Sequence, residues 1–227
     1  MRKPQKKCVK KEPSPLTHFA SRRRSMCCRY WVDESPELRS IVEEMNRSPL
    51  LGRWQENASI RTYGEMRPTD VVPVIAPNRR GERAVFPMRW GFAGKTLLLN
   101  ARVETAASKP TFREAWEKHR CIVPAAWYFE WEHLILANGE QRTGDKYRIW
   151  PENSPVTWLC GLYRIEDRLP VFVVLTREPG DGIRFIHDRM PLILPGERVN
   201  DWIRPDAKPE DLLPEALTDM AYEKAEK

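Results

Sequence analysis

Apolar positions along this chain fall in short runs separated by turn residues rather than in long amphipathic repeats. Cys28 to Val32 is an aromatic and β-branched stretch of strand character. Ser35-Pro36 then offers an N-cap and a first-turn proline, and Leu38, Ile41, Val42 and Met45 follow at the spacing of one helix face. Beyond that helix the pattern favours strands. Val71 to Ala76 and Ala84 to Phe92 flank the turn Pro77-Asn78-Arg79-Arg80-Gly81, which predicts a hairpin. Further strands are predicted at Leu97–Ala101, Cys121–Val123, Tyr128–Trp131, Tyr147–Trp150, Val156–Leu162 and Val171–Leu175, with Met190–Leu194 extended. Phe112–Lys118 reads as a short amphipathic helix, and Gly182–His187 and Glu197–Ile203 as helical segments. Strands outnumber helices and do not alternate strictly with them, which argues against a doubly wound parallel sheet. The expected fold is one α+β domain on a curved, barrel-like, mostly antiparallel sheet flanked by short helices.

Composition bounds the rest. At 41% hydrophobic and 31% charged, 227 residues can bury a core, which excludes full disorder. No apolar run approaches the roughly 18 residues of a membrane helix. Residues 1–25 are basic and carry no apolar stretch or periodicity, so they are expected to form a solvated tail or a leader, with no secretory signal, before a domain at 26–227. Five cysteines, an odd number, speak against a disulfide scaffold and for a reducing cytoplasm.

The formal charge of +6 is concentrated in that tail. Setting aside its nine basic residues and one acid reduces the 38 basic and 32 acidic side chains to 29 and 31, so residues 26–227 carry a net −2. Attraction to a phosphate backbone would have to come from a local groove or from the tail.

Several chemistries fail on pattern. No Cys-x-x-Cys occurs, and His18, His119, His133 and His187 show no metal-ligand spacing, so zinc is not expected. No phosphate loop, dinucleotide glycine pattern or Gly-x-Ser-x-Gly elbow is present. What remains are polar residues at the ends of apolar strands. Asn100 ends Leu97-Leu98-Leu99, Glu130 sits inside Trp127-Tyr128-Phe129-Glu130-Trp131, and His187 precedes Asp188-Arg189-Met190-Pro191. A carboxylate desolvated among aromatics can shuttle protons near neutral pH. Taken singly, each residue has a plainer reading: a turn residue for Asn100, a solvent-facing or arginine-paired strand residue for Glu130, a hydrogen-bonded structural imidazole for His187.

Four blocks together, Met26-Cys27-Cys28-Arg29-Tyr30, Asn100-Ala101-Arg102-Val103-Glu104-Thr105, Phe129-Glu130-Trp131 and His187-Asp188-Arg189-Met190-Pro191, resemble in order and spacing the SRAP family. These are the SOS-response-associated peptidases, also called abasic-site processing proteins, and the resemblance covers about residues 26–222. It implies a single α+β domain with a β-barrel-like core and a cleft for single-stranded DNA; a monomer in the cytoplasm, nucleoid-associated when bound to DNA, is expected. It also implies covalent capture of abasic sites through an N-terminal cysteine, without metal, organic cofactor or membrane. By resemblance Cys27 is the crosslinking residue, Asn100 holds its amine or the opened sugar, Glu130 moves protons, and His187 assists sugar opening and binds the adjacent phosphate. Arg29, Arg102, Lys109 and Arg189 are the implied phosphate contacts, and Trp90 and Trp131 stack on bases or wedge the strand, unless these tryptophans are core.

The pattern departs from the family where Cys28 and Trp127 replace common glycines, the latter expected to narrow the cleft near Glu130, and at Gly64-Glu65-Met66-Arg67-Pro68-Thr69. Residues 1–25 precede Met26, so Cys27 becomes N-terminal either by initiation at Met26 or by autocatalytic cleavage. A thiol peptidase acting on other proteins and a non-covalent single-strand-binding module are the competing readings.

Overall fold

The computed structural model describes residues 29–54, 58–136 and 138–226. The predicted tail and the predicted residues Met26, Cys27 and Cys28 lie outside the described residues. In chain order the first half holds β1 (Arg29–Val32), α1 (Pro36–Asn46), α2 (Leu51–Trp54), β2 (Gly64–Met66), β3 (Val71–Pro77), β4 (Arg83–Trp90), β5 (Asn100–Arg102), α3 (Val103–Ala106) and α4 (Arg113–Lys118). The second half holds β6 (Arg120–Ala125), β7 (Trp127–Ile135), β8 (Gln141–Pro151), β9 (Thr157–Glu166), β10 (Leu169–Arg177), β11 (Met190–Pro191), β12 (Ile193–Leu194), α5 (Val199–Ile203), α6 (Pro209–Leu212) and β13 (Met220–Lys224).

Five of these strands close on themselves. Pairing runs β10–β4–β3–β6–β9, and β9 pairs back to β10, so no edge is left open around that circuit. Every contact in it is antiparallel except the parallel joint of β4 and β10 at Val171↔Arg89 and Phe172↔Trp90. The expected α+β fold with a barrel-like, mostly antiparallel core is therefore present. The predicted hairpin is β3–β4, in register from Val71↔Arg89 to Pro77↔Arg83. Closure requires Gly161 in β9: a Cβ there would stand 2.8 Å from the Val173 carbonyl and 2.9 Å from Cys121 Sγ. The β9–β10 turn uses Asp167 and Arg168 with φ of +48° and +65°, the left-handed pair that matches the twist of a tight hairpin.

A second sheet, β13–β8–β7–β1–β2, lies against the barrel. The chain passes from β6 to β7 at Ala126, whose N–H donates to Trp31 O (2.8 Å) and whose carbonyl accepts from Thr157 Oγ1 (2.9 Å). Tyr30 of β1 reaches across to Trp90 of β4, ring centroids 5.3 Å apart. Helix α1 buries Leu38, Ile41, Val42 and Met45, the stripe its sequence predicts, and packs on β3 and β4. This explains why β3 is apolar throughout: six of its seven positions are buried because both faces are covered. Ser35 occupies the N-cap position but makes no side-chain cap bond; its own N–H donates to Asp33 Oδ1.

Three expectations change. The strand predicted at Leu97–Ala101 begins only at Asn100, with Leu98 in an isolated bridge to Phe92. Gly182–His187 is not an α-helix but a 3-10 turn at Asp181–Ile183 followed by turns. Strand β8 extends from Gln141, well before the predicted Tyr147, as the polar arm of a hairpin with β7.

The C-terminal segment is fastened by Arg120, 1% exposed. Its guanidinium donates to the carbonyls of Trp116 (2.8 Å), Glu117 (2.8 Å), Trp202 (2.8 Å), Ala207 (2.9 Å) and Arg204. A planar fork reaches five carbonyls at once, which a lysine cannot reproduce. Arg120→Met is expected to cost about 3 kcal/mol or more in urea unfolding; a midpoint equal to the parent protein's would show that these carbonyls find other partners.

Candidate active site

Strand β7 sets Glu130 by simple alternation. Tyr128 and Glu130 share one face and are 1% and 5% exposed, while Trp127, Phe129 and Trp131 share the other. Glu130 Oε1 accepts the Trp131 N–H at 3.2 Å. β1 lies beside it in antiparallel register, Arg29↔Phe129 through Trp31↔Trp127, so the chain enters the described structure next to Glu130.

A bulge between Trp131 and His133 breaks the alternation. Beyond it the His133 N–H donates to Ile186 O (3.0 Å), and its ring lies 4.0 Å from that of His187. His187 is 6% exposed and follows the buried Ile186. Burial, aided by His133 and Arg189 and opposed by Asp188, pushes its pKa down to about 4, so the ring is neutral at neutral pH. Nδ1 stands 3.0 Å from the Arg189 N–H and 2.8 Å from Asp188 Oδ1. A neutral ring satisfies one of these at a time. With the proton on Nε2 it accepts from Arg189; with the proton on Nδ1 it donates to Asp188 and frees Nε2 as a base.

Arg189 joins this loop to the strand carrying Asn100. Its guanidinium donates to Glu104 Oε1 (2.6 Å) and Oε2 (2.8 Å) and to Thr176 O (2.7 Å). On one edge of β10, β5 runs parallel with Val174↔Asn100 and Thr176↔Arg102; on the other, Met190 pairs with Arg177. The clamp therefore spans the C-terminal end of β10 and fixes Asn100 and His187 relative to the same strand. Burial raises the pKa of Glu104, but the hydrogen bonds and charge of Arg189 more than offset it and hold the carboxyl below its ordinary range.

The structure ties Asn100 and His187 to the end of β10 through Arg189, and His133, three residues beyond Glu130 on β7, contacts the His187 ring. It corrects other expectations. Trp90 is 0% exposed, stacks on Phe172 at 6.0 Å and donates its indole N–H to Leu99 O (3.1 Å), so it is core and cannot stack on a base. Arg189 is an internal strut, its terminal nitrogens spent on Glu104 and Thr176 instead of a phosphate. Trp127 does not narrow the face bearing Glu130; it stacks on Trp31 on the opposite face (5.7 Å, 6° between planes).

Arg102 and Lys109 are exposed and form no ion pair among the described residues. Arg29 is half-committed: it meets Glu65 at 2.6 Å, a carboxylate that also receives Lys146 (2.9 Å) and Arg67 (3.2 Å). Trp131 is partly exposed, with the Lys146 ammonium 5.3 Å from its ring. Cys27 lies outside the described residues. Cys121 and Cys160 are fully buried with thiol pKa values pushed far up by desolvation, which makes them inert. Sequence spacing does not single out His133, because 54 positions separate it from His187 and only the bulge and the Ile186 hydrogen bond bring them together.

Comparison with known sequences matches residues 26–226 to a model of the family described as SOS response associated peptidase (SRAP). The chain belongs to the SRAP family. It is similar to the abasic site processing protein YobE of Bacillus subtilis, 28% identical over 194 residues that cover 80% of this chain and 84% of the relative. It is also similar to the abasic site processing protein YedK of Escherichia coli, 31% identical over 129 residues, 52% of this chain and 54% of the relative. Among solved structures, a protein from Bacteroides thetaiotaomicron superposes with a TM-score of 0.65 at 21% identity, covering 88% of this chain and 93% of that one. A phage-related protein of Bordetella bronchiseptica also gives 0.65, at 20% identity and 88% and 95% coverage. These structures share the fold of this chain. Among the described residues no helix is long and apolar enough to cross a membrane.

The depressed pKa of His187 has a stability consequence. Between about pH 6.5, where an exposed histidine titrates, and about 4, the unfolded chain binds a proton that the folded chain refuses. Stability contributed by the neutral ring is present above that window and is lost as pH falls through it. Thermal unfolding followed across this window should show a decline that His187→Gln flattens; an equal decline in the variant would assign it to other groups.

Proposed function

We propose that this SRAP chain processes abasic sites in single-stranded DNA by covalent capture through Cys27 once that residue is N-terminal. An abasic deoxyribose opens to an aldehyde. The α-amine of Cys27 adds to the carbonyl carbon, and loss of one water gives an imine; the thiol then adds across the carbon–nitrogen double bond and closes a five-membered thiazolidine. The net change is condensation with release of a single water. A backbone amide nitrogen cannot take this role because its lone pair is delocalised, so position at the chain terminus is the requirement. The α-amine and thiol have reference pKa values of about 7.7–8.0 and 8.5, so both nucleophiles are accessible near neutral pH.

The observation that carries the reading is the entry of the chain beside Glu130. Arg29 pairs with Phe129, and Cys27 is two residues upstream, within at most about 7 Å of extended chain. Glu130, buried in the adjacent position, is suited to shuttle the protons of imine formation and ring closure. Asn100 is assigned to hold the amine or opened sugar. His187, neutral and able to use Asp188 as proton partner on Nδ1, is assigned to sugar opening. Arg29, Arg102 and Lys109 supply cations for phosphates, and Trp131 a stacking surface. The family match beginning at Met26 supports a mature chain that starts at Cys27, reached by initiation at Met26 or by self-cleavage of the preceding bond; DNA damage repair is the setting this chemistry serves.

The mature chain should form an adduct with an abasic-site oligonucleotide that survives a denaturing gel. Cys27→Ala should abolish the band, and undiminished yield would remove Cys27 from the mechanism. Glu130→Gln should slow adduct formation by about 10²-fold or more with DNA affinity retained; loss of both in proportion would make Glu130 structural.

A further inference from the structure

Three groups with metal-ligating atoms meet at the surface end of this site. His133, His187 and Asp188 each offer one ligand atom, and these atoms lie within 4.8 Å of one another. Their placement is built in by the backbone: the His133 N–H is bonded to Ile186 O, immediately before His187, and Arg189, immediately after Asp188, is anchored by Glu104 and Thr176. His187 is buried and held, whereas His133 is exposed and the Asp188 side chain is 80% exposed, so two of the three ligands can adjust.

We propose that His133, His187 and Asp188 form a binding site for a borderline divalent cation of the zinc class, with solvent completing the shell. Two imidazoles and a carboxylate are a donor set that zinc takes at about 2.0–2.2 Å, leaving a fourth, open position for water. Tetrahedral coordination sets ligand atoms roughly 3.4 Å apart, so the observed spread closes through small rotations of the two exposed side chains. Imidazole and carboxylate together favour zinc-like ions over calcium or magnesium, which prefer all-oxygen shells. His133 gains a role that neither the barrel nor the sugar chemistry requires of it. A metal there would also occupy the lone pair of His187 and slow adduct formation; that consequence rests on the proposed function, the binding site itself does not.

Binding is tested by calorimetric titration of Zn²⁺ into the full chain carrying Cys8→Ser, Cys27→Ser and Cys28→Ser, which removes competing thiolates from the N-terminal segment. One ion per chain is expected, with affinity falling at least about tenfold in His133→Ala and in Asp188→Asn. Both substitutions are at exposed side chains, and an unchanged unfolding temperature without metal verifies that the fold is intact. Absence of uptake, or uptake that His133→Ala leaves unchanged, would overturn the site and leave the two histidines as a ring contact only.

Discussion

A single guanidinium sets the geometry of the candidate active site. Arg189 is 9% exposed, so its charge has to be met inside the protein, and the acceptors come from two other segments of the chain. Glu104 receives two parallel bonds and Thr176 a third. The consequence is positional: Asn100 lies four residues before Glu104, and His187 lies two before Arg189, both held to the end of β10. Removing Glu104 would leave the buried Arg189 charge with only the Thr176 carbonyl, so this clamp is less replaceable than ion pairs in which both partners are exposed. The residue read from sequence as a phosphate contact thus performs an internal task on which the site's alignment rests.

Much of the fold is legible because burial on both faces leaves a continuous apolar signature. β3 and β10 show it, as does the single stripe of α1. β8 is legible only at its inner end, where Tyr147 and Ile149 are buried; its outer residues are polar because that hairpin arm stands in solvent. β13 escapes the pattern for the same reason: it is an edge strand with alternate positions exposed. The helical reading of Gly182–His187 fails because the helical geometry ends after one 3-10 turn at Asp181–Ile183, and the chain then places Ile186 in the core.

The site is legible by motif and not by environment. Glu130 is expected among aromatics, and it is buried, with the alternation of β7 separating it from its neighbouring indoles. Trp90 and Trp131 look equivalent in sequence, yet one closes the core between Tyr30 and Phe172 and the other borders solvent. His133 is invisible because a bulge, which leaves no periodic signal, re-aims the strand toward His187. Charge follows the same lesson. A body with net −2 need not repel DNA uniformly, since Arg102 and Lys109 remain uncommitted near the strand carrying Asn100, whereas Lys146 and Arg67 are already shared with Glu65.

The central claim is that the reacting group is an aminothiol at the start of the SRAP domain. It is tested most directly by digesting the purified adduct and locating the sugar remnant by tandem mass spectrometry. The account predicts the remnant on the peptide that begins at Cys27, with the α-amine and the Cys27 thiol both blocked to acylation and alkylation. A remnant on a lysine amine, with the Cys27 thiol still free to alkylate, would contradict it.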